Sequence, residues 1–320
     1  MAIKQRIVSA LGIRLKAVFE RIEPKEFDFI YEIRIRVNQP IIIIKKGEEM
    51  FLSSLGTYTK DSRQAIIATR EDIQNTLEMM SQHSMYAFEE EMRQGYITLE
   101  GGHRVGIVGK IIIENKSVKS IRYVGAMNIR IAHEIIGAAN RILPYIYDGD
   151  NTIYHTLIVS PPRCGKTTIL RDLVRQVSNG SHCYHGMTVG VVDERSEIGG
   201  CYRGVPQNDI GLRTDILDGC SKVEGMLMLL RSMSPEVIAI DEIGKKEDLF
   251  AIEEVLNAGV KIVCTVHGST LKDITSKPVL KEMIERRLFQ RIICISSRKG
   301  PGTIEEILDG TTLKDCRIIS

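Results

Sequence analysis

A glycine, a lysine and two threonines stand together in the segment SPPRCGKTT, residues 160–168. In a phosphate-binding loop, backbone N–H groups and a helix N-terminus bind phosphates, the lysine neutralises their charge, and a hydroxyl binds Mg²⁺. The apolar run TLIVS precedes the segment and a helical pattern follows it, as such a loop requires. We therefore predict that the following residues bind nucleotide: Ser160, Pro161, Pro162, Arg163, Cys164, Gly165, Lys166, Thr167 and Thr168.

Ser160 departs from the usual loop pattern, which has glycine at this position for its backbone freedom. Serine fits if its φ is negative, and Pro161 and Pro162 stiffen the chain as it leaves the strand. The alternative is a degenerate loop that no longer binds nucleotide. Other parts of the site must decide between these two readings.

Two acidic pairs follow apolar runs that are typical of buried strands. Asp241 and Glu242 end EVIAIDE, and Asp193 and Glu194 end MTVGVVDE. Thr167 and Asp241 are predicted to bind Mg²⁺, with Asp193 as a further candidate ligand. Glu242 is predicted to polarise the attacking water, and Glu194 is a second candidate catalytic carboxylate.

His267 ends another apolar run, VKIVCTVH. In a parallel sheet the carboxyl ends of the strands meet at the ligand side, so His267 would face the same crevice as the acidic pairs. It is a candidate sensor of the γ-phosphate. A purely structural histidine is the alternative.

The predicted elements that position these residues fall into two domains. Residues 1–135 indicate a small α+β domain: an amphipathic helix ending near Pro24, two strands within 29–52, a helix opened by Thr69 and Asp72, and a hairpin at Gly101-Gly102. From residue 136 to 320, short apolar strands alternate with helices. That alternation is typical of an α/β domain with a mainly parallel sheet covered on both faces.

The composition of the 320 residues limits the possible partners. The chain has 43 basic and 41 acidic residues, so its near-neutral charge predicts no direct nucleic-acid partner. Its seven cysteines are scattered without a C-x-x-C pair, which indicates reduced thiols in a cytoplasmic protein. No apolar run reaches the roughly 20 residues needed to cross a bilayer. Membrane association would therefore require partners.

Several of these segments resemble a known superfamily. LRSMSPEVIAIDEIG resembles the Walker B region of the type II and type IV secretion ATPases, VVDERSEI their acidic box, and CTVHG their histidine box. Asp241 stands where that superfamily usually has glycine, and Gly244 where it usually has arginine. From about residue 30 onward, segments such as SPPRCGKTTILRDL resemble one branch, the stage III sporulation protein AA family of endospore-forming bacteria.

The resemblance implies a RecA-like P-loop ATPase that uses ATP and Mg²⁺ and works as a ring, expected to be a hexamer. It implies a mother-cell motor of a channel-like complex, held at the membrane by small membrane proteins of the same sporulation assembly. Arg104 is implied to close over the nucleotide of its own or a neighbouring subunit; a solvated strand face is the alternative. Arg195, Arg203 and Arg213 are further candidates to reach a phosphate.

Two other functions remain open on the sequence alone. One is a nucleic-acid-binding ATPase, against which the balanced charge argues. The other is a scaffold that binds nucleotide with little turnover, against which the paired strand-end carboxylates argue.

Overall fold

The computed structural model describes residues 3–81, 92–93, 95–114, 117–149 and 152–318. The chain divides into two compact units. The first comprises Met1–His133 with Gly200–Gln207, and the second comprises Glu134–Gly199 with Asn208–Ser320. The segment Gly200–Gln207 thus belongs to the first unit, although it lies inside the second of the two domains predicted from the sequence.

The first unit is an antiparallel sheet with helices packed on it. Its helices are α1 (Ile3–Ser9), α2 (Ile13–Phe19) and α3 (Arg70–Met80). Its strands are β1 (Ile30–Arg36), β2 (Ile42–Lys45), β3 (Glu48–Leu52), β4 (Tyr58–Thr59), β5 (Tyr96–Leu99), β6 (His103–Glu114) and β7 (Ser117–Arg130). The strand order is β4-β3-β2-β1-β7-β6-β5, and neighbouring strands run antiparallel.

Two expectations for this unit are wrong. The predicted single first helix is two helices, because the backbone of Gly12 is extended. Glycine suits this position because a Cβ there would lie only 2.8 Å from the Cβ of Asn75. The two strands predicted within 29–52 are three. Lys46 and Gly47, both with positive φ, make a two-residue hairpin turn between β2 and β3. The capping box of Thr69 with Asp72 and the hairpin at Gly101-Gly102 are confirmed.

The second unit carries the larger, mainly parallel sheet. Its helices are α4 (Leu143–Ile146), α5 (Lys166–Asn179), α6 (Lys222–Ser232), α7 (Lys246–Asn257), α8 (Leu271–Thr275) and α9 (Pro278–Glu285). Its strands are β8 (Thr156–Ser160), β9 (Val189–Asp193), β10 (Thr214–Asp218), β11 (Val237–Ile240), β12 (Lys261–His267), β13 (Arg291–Ser296) and β14 (Thr303–Asp309). The order is β10-β9-β11-β12-β8-β13-β14, parallel except for β13 with β14.

The predicted α/β architecture of this unit is confirmed. β8, β9 and β11 are buried along their whole length, and an apolar core lies on each face of the sheet. The edge strand β10 was not predicted, because its residues are only partly buried and lack a continuous apolar run. Among the described residues, no helix has the length and apolar character needed to span a membrane.

Candidate nucleotide site

The chain turns from β8 into α5 through the loop 161–165. Arg163 and Gly165 have φ of +60° and +87°, and a Cβ on Gly165 would meet nothing nearer than 3.5 Å. Glycine is therefore favoured at 165 by its backbone angle rather than by lack of space. Gly165 is the N-cap of α5 and gives the helix no side-chain cap. The first N–H groups of this 14-residue helix thus remain available to an anion.

Ser160 satisfies the condition that the sequence placed on it. It is fully buried at the end of β8, its φ is not positive, and its hydroxyl donates to the carbonyl of Pro161 at 2.9 Å. The freedom of a glycine is not used at this position. Cys164 is also buried, and its carbonyl accepts the N–H of Gly302 at 2.8 Å, whereas Arg163 is exposed.

Lys166 and Thr167 meet the end of β11. The Lys166 side chain is only 7% exposed, and its Nζ lies 3.6 Å from Oδ1 of Asp241. The Thr167 hydroxyl donates to Oδ2 of the same carboxylate at 2.7 Å. Burying an ammonium group without a partner costs free energy, so the contact with Asp241 stabilises the Lys166 charge at the start of α5. The predicted loop and the predicted acidic strand end are therefore adjacent.

These oxygens fit Mg²⁺. The Thr167 hydroxyl and the Asp241 carboxylate are hard oxygen donors, which Mg²⁺ prefers. Over the described part of the chain, no group of three or more His, Cys, Asp or Glu side chains is arranged to hold a metal. Mg²⁺ usually takes one or two protein ligands and completes its shell with water and phosphate oxygens. The donor set therefore suits a cation that arrives with a nucleotide.

Glu242 has a strained backbone, and its carboxylate contacts two nitrogen-bearing side chains. Its φ is +63°, and its N–H donates to the Thr265 hydroxyl at 2.8 Å. Its Oε1 lies 2.6 Å from Nε2 of His267, and its Oε2 accepts from Nη1 of Arg195 at 2.8 Å. The Thr265 hydroxyl also donates to the Asp241 carboxylate, so one buried residue of β12 holds that carboxylate and the backbone of Glu242.

Asp193 binds the backbone of the loop that follows β9. Its carboxylate accepts the N–H groups of Glu197, Ile198 and Gly199 at 2.8 to 2.9 Å. From α5, the partly buried guanidinium of Arg171 donates to the carbonyls of Glu197 and Ile198 at 2.5 and 2.6 Å. The same peptide segment is thus held on both sides. Asp193 stabilises the loop here, and its role as a metal ligand remains a prediction.

Burial gives Asp193 a measurable pH signature. It raises the pKa of the carboxyl from 3.8 to about 6, against the lowering effect of the three N–H groups. A raised pKa in the folded state adds stability below pH about 4, and this contribution is lost as the pH rises through 6. The free energy of unfolding should therefore fall over that window by about 3 kcal/mol relative to Asp193→Asn. Urea unfolding of the wild type and Asp193→Asn from pH 4 to 7 measures this difference. Parallel plots of unfolding free energy against pH would contradict the prediction. Asp215→Asn, at an exposed position of β10, is the control.

The two acidic pairs are brought together. Asp193 and Glu194 line one cavity with Asp241 and Glu242. The Glu194 carboxylate forms an ion pair with the buried Lys222 at the start of α6. Although burial alone would raise the pKa of Glu194, the hydrogen bond and charge of Lys222 hold it below its ordinary value. The catalytic role predicted for Glu194 remains a prediction.

The candidate arginines have separate locations. Arg104 belongs to the first unit, where its guanidinium lies 3.6 Å from the centre of the Tyr96 ring. Arg203 is in the first unit too, whereas Arg213 donates to the Ser178 carbonyl at the end of α5. Of the arginines singled out from the sequence, Arg195 is bonded to a predicted site residue, Glu242.

No role was predicted from the sequence for Arg171, Lys222 or Thr265. A charged residue on the buried side of a helix is the signal that was available for Arg171, four positions after Thr167. The double contact of Thr265 has no such signal, because it depends on the register of β12 beside β11.

A second cavity lies beside Gly165. Its described lining combines the aliphatic side chains of Ile135, Ala138, Ile169 and Pro301 with the polar side chains of Arg141 and Thr168. The Asp172 carboxylate on α5 accepts the N–H of Ala139 at 2.8 Å and so ties one wall to the loop-bearing helix. The cavity adjoins the phosphate-binding loop through Gly165 and Thr168.

Comparison with known proteins establishes the family. The model of the family "Sporulation stage III, protein AA" matches residues 1–314. The chain belongs to this family. It is 43% identical over 314 residues to stage III sporulation protein AA of Bacillus subtilis (strain 168), covering 98% of this chain and 96% of that protein. The family resemblance inferred from the sequence is confirmed.

Solved structures share the fold at low sequence identity. The ATPase DotB of Legionella pneumophila is 12% identical with a TM-score of 0.56, covering 92% of this chain and 80% of that chain. The pilus retraction motor PilT, solved with bound ADP, is 15% identical with a TM-score of 0.55, covering 86% and 76%. The stage III family member therefore has the α/β fold of these ATPases.

Proposed function

We propose that this member of the sporulation stage III, protein AA family is a Mg²⁺-dependent ATP hydrolase of the secretion-ATPase type. The observation that carries the proposal is the contact of Asp241 with Thr167 and Lys166 at the uncapped start of α5. It joins a phosphate-binding helix terminus, a buried cation and two oxygen ligands for Mg²⁺. The bound ADP named for PilT and the ATPase fold support the choice of nucleotide.

Each residue has a role in this proposal. Lys166 and the first N–H groups of α5 bind the phosphates, and Thr167 with Asp241 holds Mg²⁺. The bound Mg²⁺ supplies positive charge against the phosphate oxygens. The nucleoside lies against the cavity beside Gly165.

Glu242 orients and deprotonates the attacking water. A water that replaces Arg195 at Oε2 would donate to the same carboxylate oxygen and pass its proton there. His267 remains bonded to the other oxygen and keeps the carboxylate oriented. Arg104, on the first unit, is proposed to approach the phosphates of its own or a neighbouring subunit.

In the cell, we propose that the protein is the mother-cell motor of a channel-like sporulation complex. It would act in the cytoplasm as a ring, proposed to be a hexamer, and meet the membrane through small membrane proteins of the same assembly. Support comes from the family, from the name of the Bacillus subtilis relative, and from a fold shared with a pilus retraction motor.

One observation favours a second candidate, a nucleotide-binding scaffold with little turnover. Both carboxylate oxygens of Glu242 are engaged, one by His267 and one by Arg195, and these contacts compete with an attacking water. The isolated chain would then bind ATP and release phosphate only after a partner or neighbouring subunit displaces Arg195.

The test is phosphate release by the purified full-length chain with ATP, in Mg²⁺ and in EDTA. We expect turnover that falls by at least about 100-fold without Mg²⁺, as removal of charge stabilisation predicts. Sedimentation velocity in the presence of a non-hydrolysable ATP analogue reports the size of the ring. ATP binding without turnover, in the assembled and the monomeric protein alike, would support the scaffold instead.

A further inference from the structure

The β6–β7 hairpin of the first unit extends past the strands that flank it. β5 pairs with β6 over residues 103–106 only, and β1 pairs with β7 over 126–130 only. Residues 110–114 of β6 and 117–122 of β7 pair with each other alone within the described chain. We call residues 108–114 and 118–124 the ribbon. Its base is anchored by Ile121, which is buried in the core of the unit.

The ribbon exposes large apolar side chains. Val108, Ile113 and Tyr123 are 61%, 69% and 73% exposed, and Ile111 and Val118 are exposed as well. Ile111 and Ile113 are two positions apart in β6, and Ile113 is paired with the exposed Val118 of β7. An apolar patch of this kind on a projecting element indicates a binding surface.

The ribbon also carries uncompensated positive charge. Lys110 and Arg122 are directly opposite each other across the strands, and both are exposed. Neither forms an ion pair with a described acidic residue, whereas Lys119 is paired with Glu114. Like charges placed opposite each other destabilise a ribbon unless an anion lies against them. The charge pattern therefore calls for an anionic partner.

We propose that the ribbon docks directly on an anionic lipid bilayer. Basic side chains beside exposed aliphatic residues and a tyrosine match the interface of such a bilayer, where headgroups are charged and acyl chains begin. This contact is independent of nucleotide hydrolysis and of any membrane-protein partner.

The test is flotation of the full-length protein with vesicles of phosphatidylcholine alone and of phosphatidylcholine with phosphatidylglycerol at a three-to-one ratio. We expect binding to the anionic vesicles only, and an about tenfold weaker partition for the double variant Lys110→Ser with Ile113→Ser. The matched control is Lys60→Ser with Leu55→Ser in the same unit, since Leu55 is also 69% exposed and Lys60 is exposed. The control should bind within about twofold of the wild type.

A second readout does not depend on removing residues from the ribbon. The chain contains no tryptophan, so Tyr123→Trp creates a single fluorescent reporter. Its emission should shift to the blue with anionic vesicles, while the emission of Tyr31→Trp, on β1, should not.

Three results would overturn the proposal. One is absence of binding to both vesicle types, and another is equal binding of the wild type and the ribbon double variant. The third is self-association of the wild type without vesicles that the double variant abolishes in sedimentation velocity, which would make the ribbon a contact between copies. Matching circular dichroism of all variants establishes that they are folded.

Discussion

Replacing Glu242 by glutamine should leave ATP binding within about threefold of the wild type and lower turnover by about 10² to 10⁴-fold. Glutamine keeps the size of the side chain and can still accept one hydrogen bond, from Arg195 or His267, but it cannot take a proton from water. Lys166→Ala should lose both binding and turnover. It removes the buried cation that faces Asp241 beside the first N–H groups of α5.

The two variants separate binding from chemistry when they are measured together. Equilibrium binding of a fluorescent ATP analogue and phosphate release under single-turnover conditions give the two quantities. Glu254→Gln and Lys246→Ala are matched controls, because both side chains are exposed on α7. Turnover in Glu242→Gln that stays within about threefold of the wild type would remove Glu242 from the mechanism.

The part of the site that could be predicted follows from strand order. Lys166 and Asp241 each follow a buried apolar strand, and parallel strands bring such ends to one edge of the sheet. The adjacency of a loop after β8 and carboxylates after β11 was thus available from the sequence. It did not require knowing that β12 lies between these strands.

The contacts that were not predicted depend on tertiary register. Thr265 bridges Asp241 and Glu242 only because β12 pairs with β11 at one register. The break of the first helix at Gly12 likewise reflects a close approach to Asn75, which is distant in the sequence. Local sequence patterns do not predict contacts between residues that are distant in the sequence. They do predict helices and strands, from the spacing of apolar residues along the chain.

The loop after β9 shows the same limit at a predicted site residue. From the sequence, Asp193 was a candidate metal ligand, since it ends an apolar strand just as Asp241 does. In the structure its oxygens accept three backbone N–H groups, from Glu197, Ile198 and Gly199. The side-chain types of these residues do not predict those hydrogen bonds. Whether a strand-end carboxylate faces a ligand or its own loop is decided by the path of the chain after it.

Replacing Asp241 by asparagine should lower Mg²⁺-dependent turnover by at least about 100-fold and raise the Mg²⁺ concentration needed for half-maximal turnover by about tenfold or more. The amide keeps the shape but removes the charge that faces Lys166. It also places an NH₂ group among the donors Thr167, Thr265 and Lys166. Leaving one of these buried donors without an acceptor should cost about 1–3 kcal/mol of stability.

The Mg²⁺ dependence of ATP binding distinguishes a lost ligand from a damaged fold. In Asp241→Asn, raising Mg²⁺ should recover part of the turnover, whereas a loop that no longer binds phosphate would not respond to Mg²⁺ at all. Asp215→Asn, an exposed carboxylate on β10, should behave as the wild type. If Asp241→Asn keeps the wild-type Mg²⁺ titration, the contact of Asp241 with Thr167 serves folding and the cation is held elsewhere.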